Sequence, residues 1–423
     1  MNKIYKLTEQ ENSRQQATIN LIASENYPSP KVLDLLGSIW NDKYAEGYPG
    51  KRYYGGNILA DELEEFVQQK SLEVFDSTGE YGVNVQVLSG SPANAMVFLT
   101  VLEPGDTVLS LDLASGGHLS HLHSSSSYLK FFNHQSYYLT PSPQGFVLDL
   151  AELKRKIIKY KPRLLVVGFS AYPQKYEFTE ICSLAHGNGC LVLADIAHIS
   201  GLVATGEHSS PFNPDGSGAD FVTTTTHKTL RGPRSALLFA KKQYMPAINK
   251  TVFPGTSGGP HLNQIAAVGQ ALMEVLGEDE YTDKVPFSKY IKSVVANTAS
   301  LEQGVLSSGI TVSAKSETHL SLINLPKASD SLAIQQTLEV SGVITNRNSV
   351  PGDLKSAWRP SGLRLGMAAL TSRGIGISQS RELGMLIGKA ILGDLQSNQL
   401  ATYTAKLAND LAWPYDNAFK RSL

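Results

Sequence analysis

"RLLVVGFSAYPQKYEFTEICSLAHGNGCLVLAD", Arg163 to Asp195, carries the alternation that decides the fold. A short apolar run follows Arg163, a helix-like segment covers Thr179 to Gly189, and a second apolar run ends in Asp195. Continuous apolar runs of this length suit strands buried on both faces, and helices between them suit crossover connections. The same alternation continues outward. Helix-like "DLAELKRKIIKYK" precedes the first run, and "FVTTTTHK", whose threonines favour a strand, follows the second. Upstream, Val83, Val85 and Val87 alternate before Ser89-Gly90-Ser91-Pro92 turns the chain into another helix. The pattern predicts an α/β domain around a largely parallel, buried sheet.

Towards the termini the pattern changes. Leu59 to Phe75 reads as a helix with Leu59, Leu63, Phe66 and Val67 on one face. Beyond Glu278 a long helical stretch leads to short strand-like pieces, "GITVSA", "HLSLINL" and "GLRLGMAAL", and then a closing helix. These predict a smaller C-terminal α+β domain. We divide the chain into an N-terminal arm at residues 1–50, a large domain at 51–278 and a small domain at 279–423. No internal repeat is present, and Ser124–Ser127 reads as a polar surface loop.

The 423 residues carry 37 basic and 38 acidic side chains, a balance that gives no reason to expect nucleic acid or an anionic membrane as partner. Cys182 and Cys190 both lie in apolar segments, so neither a disulfide framework nor a metal site is expected. The polar N-terminus lacks a signal-peptide core, and no apolar run is long enough to span a bilayer. A soluble cytoplasmic protein is expected.

In a parallel α/β sheet, ligands gather beyond the carboxyl ends of the strands. The residues that follow the apolar runs are Ser89, Gly90 and Ser91, then Ser170, then Asp195 with His198, then His227 with Lys228. Singly, each has an ordinary reading as a cap, a solvated lysine or a core histidine. Together they match what pyridoxal phosphate requires: a lysine amine for a Schiff base, a carboxylate for the pyridine nitrogen, and a helix N-terminus for the phosphate. A dinucleotide site lacks its G-x-G-x-x-G. Arg364, in "SGLRLG", offers a planar fork to a substrate carboxylate, which makes an amino acid the natural substrate.

From about Ile19 to Gly374 the chain resembles the serine hydroxymethyltransferase family. The resemblance is carried by "LIASENYPSP", "KYAEGYPGKRYYGG", "LSGSPAN", "SGGHLSH", "GFSAY", "ADIAHISGLVA", "VTTTTHKTLRGPR", "VFPGTSGGPH" and "NRNSVPGD". It implies a fold-type I, aspartate aminotransferase-like α/β enzyme, with a mostly parallel seven-stranded sheet in the large domain. It also implies a homodimer, pyridoxal 5'-phosphate as cofactor, tetrahydrofolate as cosubstrate, and interconversion of serine and glycine.

By the same resemblance, Lys228 is the covalent anchor and Asp195 the partner of the pyridine nitrogen. His118 stacks on the ring beside Gly116 and Gly117, while His198 and Ser170 face the phenolic oxygen. Ser89, Gly90 and Ser91 hold the phosphate with Gly258 and Gly259 of the second chain. Thr225, His227 and Arg234 complete the surroundings of Lys228. Ser24, Tyr54 and Arg364 match substrate-carboxylate positions. Tyr44, Glu46 and Tyr53 match positions at the reacting centre, with Tyr44, Glu46 and Tyr54 arriving from the other chain. Glu46 is the expected proton carrier. Leu113, Gly117, His118, Leu119 and Asn348 align with folate contacts, as do Ser356, Ala357 and Trp358.

Two stretches depart from the family pattern. Ser356-Ala357-Trp358 stands where Ser-Pro-Phe is usual, and Leu122 stands where a glycine is usual. Both lie on the folate side. A folate-independent aldolase, an α-methylserine hydroxymethyltransferase, and a non-catalytic scaffold or RNA-binding relative are the alternative readings.

Overall fold

A computed structural model describes residues 2–213, 217–279, 285–356 and 358–415. Its centre is a seven-stranded sheet: β1 (Tyr81–Asn84), β2 (Thr107–Leu111), β3 (Asn133–Tyr137), β4 (Leu164–Val167), β5 (Leu191–Asp195), β6 (Phe221–Thr225) and β7 (Ala236–Lys241). The spatial order is β1-β7-β6-β5-β4-β2-β3. Only β7 runs against its neighbours, pairing antiparallel with β6 and β1; the other pairs are parallel.

The apolar runs are continuous because both faces are covered. Leu165 and Val167 point into one core, with Val192, Ala194 and Val222, beneath the helices Ile58–Phe75, Leu150–Tyr160, Phe178–His186 and Leu262–Leu276. Leu164 and Val166 point into the other, with Leu193 and Phe221, beneath the Gly90–Val101 helix. Successive strand residues alternate faces, and every residue of β4 is fully buried. Each such side chain contributes about 1.5–3 kcal/mol. Cys182 and Cys190 are buried free thiols in the first core.

The helix predicted from Leu59 forms at Ile58–Phe75, but its buried face is Ala60, Glu64, Val67, Ser71 and Phe75. Leu59 and Phe66 are 64% and 39% exposed. Burial of Glu64 is the physical reason. Its carboxylate accepts from Arg52 Nη2 at 2.6 Å and from Gln86 Nε2 at 2.9 Å, so a polar network takes the inner face and leaves apolar residues outside.

The C-terminal part builds a four-stranded antiparallel sheet from β8 (Thr311–Val312), β9 (Leu320–Asn324), β10 (Asn346–Asn348) and β11 (Gly362–Gly366), ordered β8-β9-β11-β10. Leu322 and Arg364 are register partners. The helices Phe287–Ser307, Ile377–Leu392 and Ser397–Asp410 cover it, so two helices rather than one close the chain. Ile19 and Leu21 join this second core, where Ile19–Asn20 pairs parallel with Val343–Ile344. The N-terminal segment thereby carries Ser24 towards the residues that follow β5 and β6.

Candidate active site

The carboxyl ends of β5 and β6 open into a cavity of about 340 Å³. Ser89, Gly90 and Ser91 line it from the start of the Gly90–Val101 helix. Ser89 is the N-cap, yet its hydroxyl makes no capping bond. Backbone N–H groups and a free hydroxyl at a helix N-terminus suit an anion. A Cβ on Gly90 would stand 2.8 Å from Thr225 Cγ2, so only glycine lets the helix start lie this close to β6.

Asp195 ends β5 and is held on three sides. Its Oδ2 accepts from Asn94 Nδ2 at 2.8 Å and lies 2.9 Å from His121 Nε2, while its Oδ1 accepts from Ala197 N at 3.0 Å. Thr223 Oγ1 in turn donates to Asn94 Oδ1 at 2.6 Å. One threonine of the run therefore supports the carboxylate, and Thr225, two residues on, faces the cavity. Burial would raise the Asp195 pKa, but the hydrogen bond and charge of His121, then Lys228 and Asn94, outweigh it. The carboxyl is held well below the usual carboxylate range.

Lys228 follows the strand and is 8% exposed. Its carbonyl accepts from Asn26 Nδ2 at 2.8 Å, which ties the lysine's backbone to the N-terminal segment. Burial lowers its pKa to about 8, against a raising effect from Asp195. An amine in this state is available as a nucleophile near neutral pH. His227 beside it is lowered to about 3, first by burial and then by Lys228, and its Nδ1 has no hydrogen-bond partner among the described residues.

His118 reaches the cavity from the "GGHL" turn. A Cβ on Gly117 would meet Leu111 O at 2.2 Å, so the turn can pack against β2 only as glycine. His118 Nδ1 accepts from Ser120 N at 3.2 Å, which places the ring proton on Nε2; burial lowers its pKa to about 4. His198, from the loop after β5, and Ser170, from the loop after β4, also line the cavity.

Arg364 enters from β11. Its guanidinium donates to Ser170 O at 2.6 Å and to Asn346 Oδ1 at 3.1 Å. Burial alone lowers its pKa to about 10, and among the described residues it has no acidic partner. Ser24 and Arg234 complete the predicted lining.

Tyr44, Glu46, Tyr53, Tyr54, Gly258 and Gly259 are gathered elsewhere. Tyr44 and Tyr54 rings meet edge to face at 5.1 Å, and Tyr44 Oη donates to Glu46 Oε1 at 3.3 Å. A Cβ on Gly258 would lie 3.3 Å from Glu46 Oε1, and one on Gly259 would lie 3.3 Å from the Tyr44 ring. The three tyrosines are 50–75% exposed. Of the folate candidates, His118 lines the cavity and Gly117 packs behind it. Leu119, Ser356 and Trp358 are exposed, Leu113 and Asn348 half-buried, and Ala357 lies outside the described residues.

Sequence reasoning passed over His121, Asn94, Ser120 and Glu25. His121 stands three residues after His118 in "HLSH", and Asn94 closes "SGSPAN"; only the folded chain shows that both converge on Asp195.

The family model described as "Serine hydroxymethyltransferase" matches residues 1–387. The chain is 44% identical over 391 residues to "Serine hydroxymethyltransferase" of Desulfotalea psychrophila, covering 92% of this chain and 88% of that protein. It is 39% identical over 391 residues to "Serine hydroxymethyltransferase" of Myxococcus xanthus, covering 92% and 90%. A buried amine, an anchored carboxylate and a guanidinium without an acidic partner among the described residues share one cavity, on a chain matched over nine-tenths of its length, and lead to one conclusion: the chain belongs to the serine hydroxymethyltransferase family of pyridoxal-phosphate enzymes.

Proposed function

We propose that the cavity holds pyridoxal phosphate and an amino acid together, and that the chain converts serine and tetrahydrofolate reversibly to glycine and 5,10-methylenetetrahydrofolate. The observation that carries the substrate class is Arg364, a buried guanidinium without an acidic partner among the described residues, facing the cavity that contains Lys228. An uncompensated buried cation is costly unless a ligand carboxylate completes it.

The residues present fit the cofactor. Ser89, Gly90 and Ser91 offer a helix N-terminus to its phosphate, Asp195 is kept ionised for its ring nitrogen, and Lys228 is the amine for its aldehyde. When bound, pyridoxal phosphate supplies a protonated ring that takes up the electron pair left by bond cleavage at the substrate Cα. Arg364 and Ser24, with Tyr54, would fix the substrate carboxylate and so set the orientation of the bonds at its Cα. His118, neutral through burial, would lie beside the cofactor without adding charge.

Tyr44, Glu46, Tyr53 and Tyr54, with Gly258 and Gly259, act in this reading at the cavity of a second copy in a homodimer. Their exposure beside the apolar surface of Ile58 and Leu59 supports that arrangement. Glu46 then moves a proton at the hydroxymethyl oxygen or the folate nitrogen. Folate lies against Leu113, Gly117, Leu119 and Asn348, next to the Ser356–Trp358 loop. The relatives, both serine hydroxymethyltransferases by name, do not favour the aldolase or scaffold readings, and no helix among the described residues is long and apolar enough to cross a membrane. A cytoplasmic setting completes the reading.

The test is tetrahydrofolate-dependent formation of glycine from serine. Lys228→Ala is expected to lower turnover by about 10³-fold or more. Turnover equal to that of the unmodified chain would overturn the assignment.

A further inference from the structure

His198 and His319 come from different sheets and meet in the interior. His198 lines the cavity after β5, whereas His319 immediately precedes β9 of the C-terminal sheet. Their ring nitrogens Nδ1 and Nε2 are 3.1 Å apart, and the residues are 6% and 1% exposed.

The segment carrying His319 is tied to its neighbours by several hydrogen bonds. Met367 N donates to His319 O at 3.1 Å. The buried Glu302 carboxylate accepts from Ser316 N at 3.0 Å and from Ser321 Oγ at 2.6 Å. Glu317 N donates to Pro173 O at 2.8 Å, and Lys175 N donates to the Glu317 carboxylate at 3.0 Å, which joins the segment to the loop after Ser170. Such a scaffold suits a side chain that must keep one position.

The chemistry of the contact is restrictive. Burial, then the cations Lys228 and Arg364, hold both imidazoles neutral. Two neutral imidazoles facing nitrogen to nitrogen share one proton, so one donates and the other accepts. With Nδ1 of His198 engaged, Nε2 is its only ring nitrogen left for a ligand, and the contact decides whether Nε2 carries a proton.

We propose that His319 is a positioning residue that fixes the orientation and tautomer of His198, so that the cavity is offered His198 Nε2 in one defined state only when the C-terminal sheet is seated. This rests on the reading of the cavity as the site of serine chemistry. The sheet that brings Arg364 to the substrate carboxylate thereby also sets the His198 imidazole, since Arg364 lies on β11 and His319 immediately precedes β9, its neighbour.

The test compares His319→Phe, which cannot hydrogen-bond, with His319→Gln, which offers both a donor and an acceptor, in the full chain with Lys228 intact. His319→Phe is expected to lower kcat about 10- to 100-fold with KM for serine within about twofold, and to change the ring ¹⁵N shifts of His198 in the holoenzyme. His319→Gln is expected to recover kcat to within about threefold. If His319→Phe does not fold, His319→Leu takes its place in the comparison. Equal kcat in the apolar and Gln variants, a loss confined to KM, or unchanged His198 shifts overturns the proposal. Because Lys228 is untouched, such a result leaves the Lys228→Ala test of the overall reading standing.

Discussion

The cavity around Lys228 and the cluster around Tyr44 contain residues from the same motif-rich sequence but are built in opposite ways. In the cavity Asp195 is held by Asn94, His121 and Ala197, His198 by His319, and Arg364 by Ser170 and Asn346. In the cluster, Tyr44, Tyr53 and Tyr54 are at least half exposed, and Glu46 is reached by one tyrosine hydroxyl at 3.3 Å. The first arrangement gathers Lys228, Asp195 and Arg364 in one cavity of one chain. The second has the geometry of a site part but lacks the enclosure that would make its polar groups effective, because charge interactions in water are heavily damped. A second copy of the chain would supply that enclosure.

Mixing two inactive variants breaks the comparison most sharply. Lys228→Ala and Glu46→Gln, each alone, are expected to retain under about 1% of turnover. After subunit exchange, random pairing puts one intact site in half of the dimers, which predicts recovery to about a quarter of the unmodified activity. No recovery would mean that Glu46 serves its own chain's cavity.

Arg364→Lys keeps the charge and removes the planar fork. A loss of about 10²-fold in kcat/KM for serine is expected, since a point charge fixes a carboxylate less well. A variant with unaltered kcat/KM would move the carboxylate site elsewhere.

The lowered pKa of Lys228 gives a third test, confined to the cavity. Capture of pyridoxal phosphate by the cofactor-free protein requires the neutral amine. With a pKa of about 8 the rate is expected to rise as pH increases from 6, half-saturate near 8 and level off above it. Asp195 raises the Lys228 pKa, so Asp195→Asn is expected to move that midpoint to lower pH. Stopped-flow absorbance measures both, and a midpoint near 10 would show that the amine is not desolvated.

The smallest effect concerns a departure from the family pattern. Leu122 is fully buried, yet its backbone has φ of 63°, a left-handed conformation. Burial of its side chain in the core with Val97, Phe98 and Val108 offsets a backbone cost of about 1–2 kcal/mol. Leu122→Ala is expected to lose about 3 kcal/mol of stability. Leu122→Gly is expected to be about 1 kcal/mol more stable than the alanine variant, reversing the usual order. Denaturant unfolding decides between the two orders.

Much of the cavity was legible in the chain because strand ends are. An apolar run that stops at Asp195, and a threonine run that stops at His227 and Lys228, each show a buried strand delivering polar residues to one edge. The helix Ile58–Phe75 shows where such reasoning fails. Its apolar residues suggested one inner face, but Arg52 and Gln86, 12 and 22 residues from Glu64, pull that carboxylate inward, and no local pattern encodes their approach. His319 was missed for the same reason, since "ETHLSL" gives no sign that its imidazole will meet another 121 residues away.

By itself the sequence determined the parallel sheet, the order in which chemical groups leave its strands, and the family, because hydrophobic periodicity and motif order are local properties of the chain. Tertiary structure alone decided which groups share a cavity, which nitrogen of each histidine is engaged, and that the tyrosine cluster stands apart. Those facts depend on distances of about 3 Å between residues far apart in the chain, and such distances exist only after the two cores have packed.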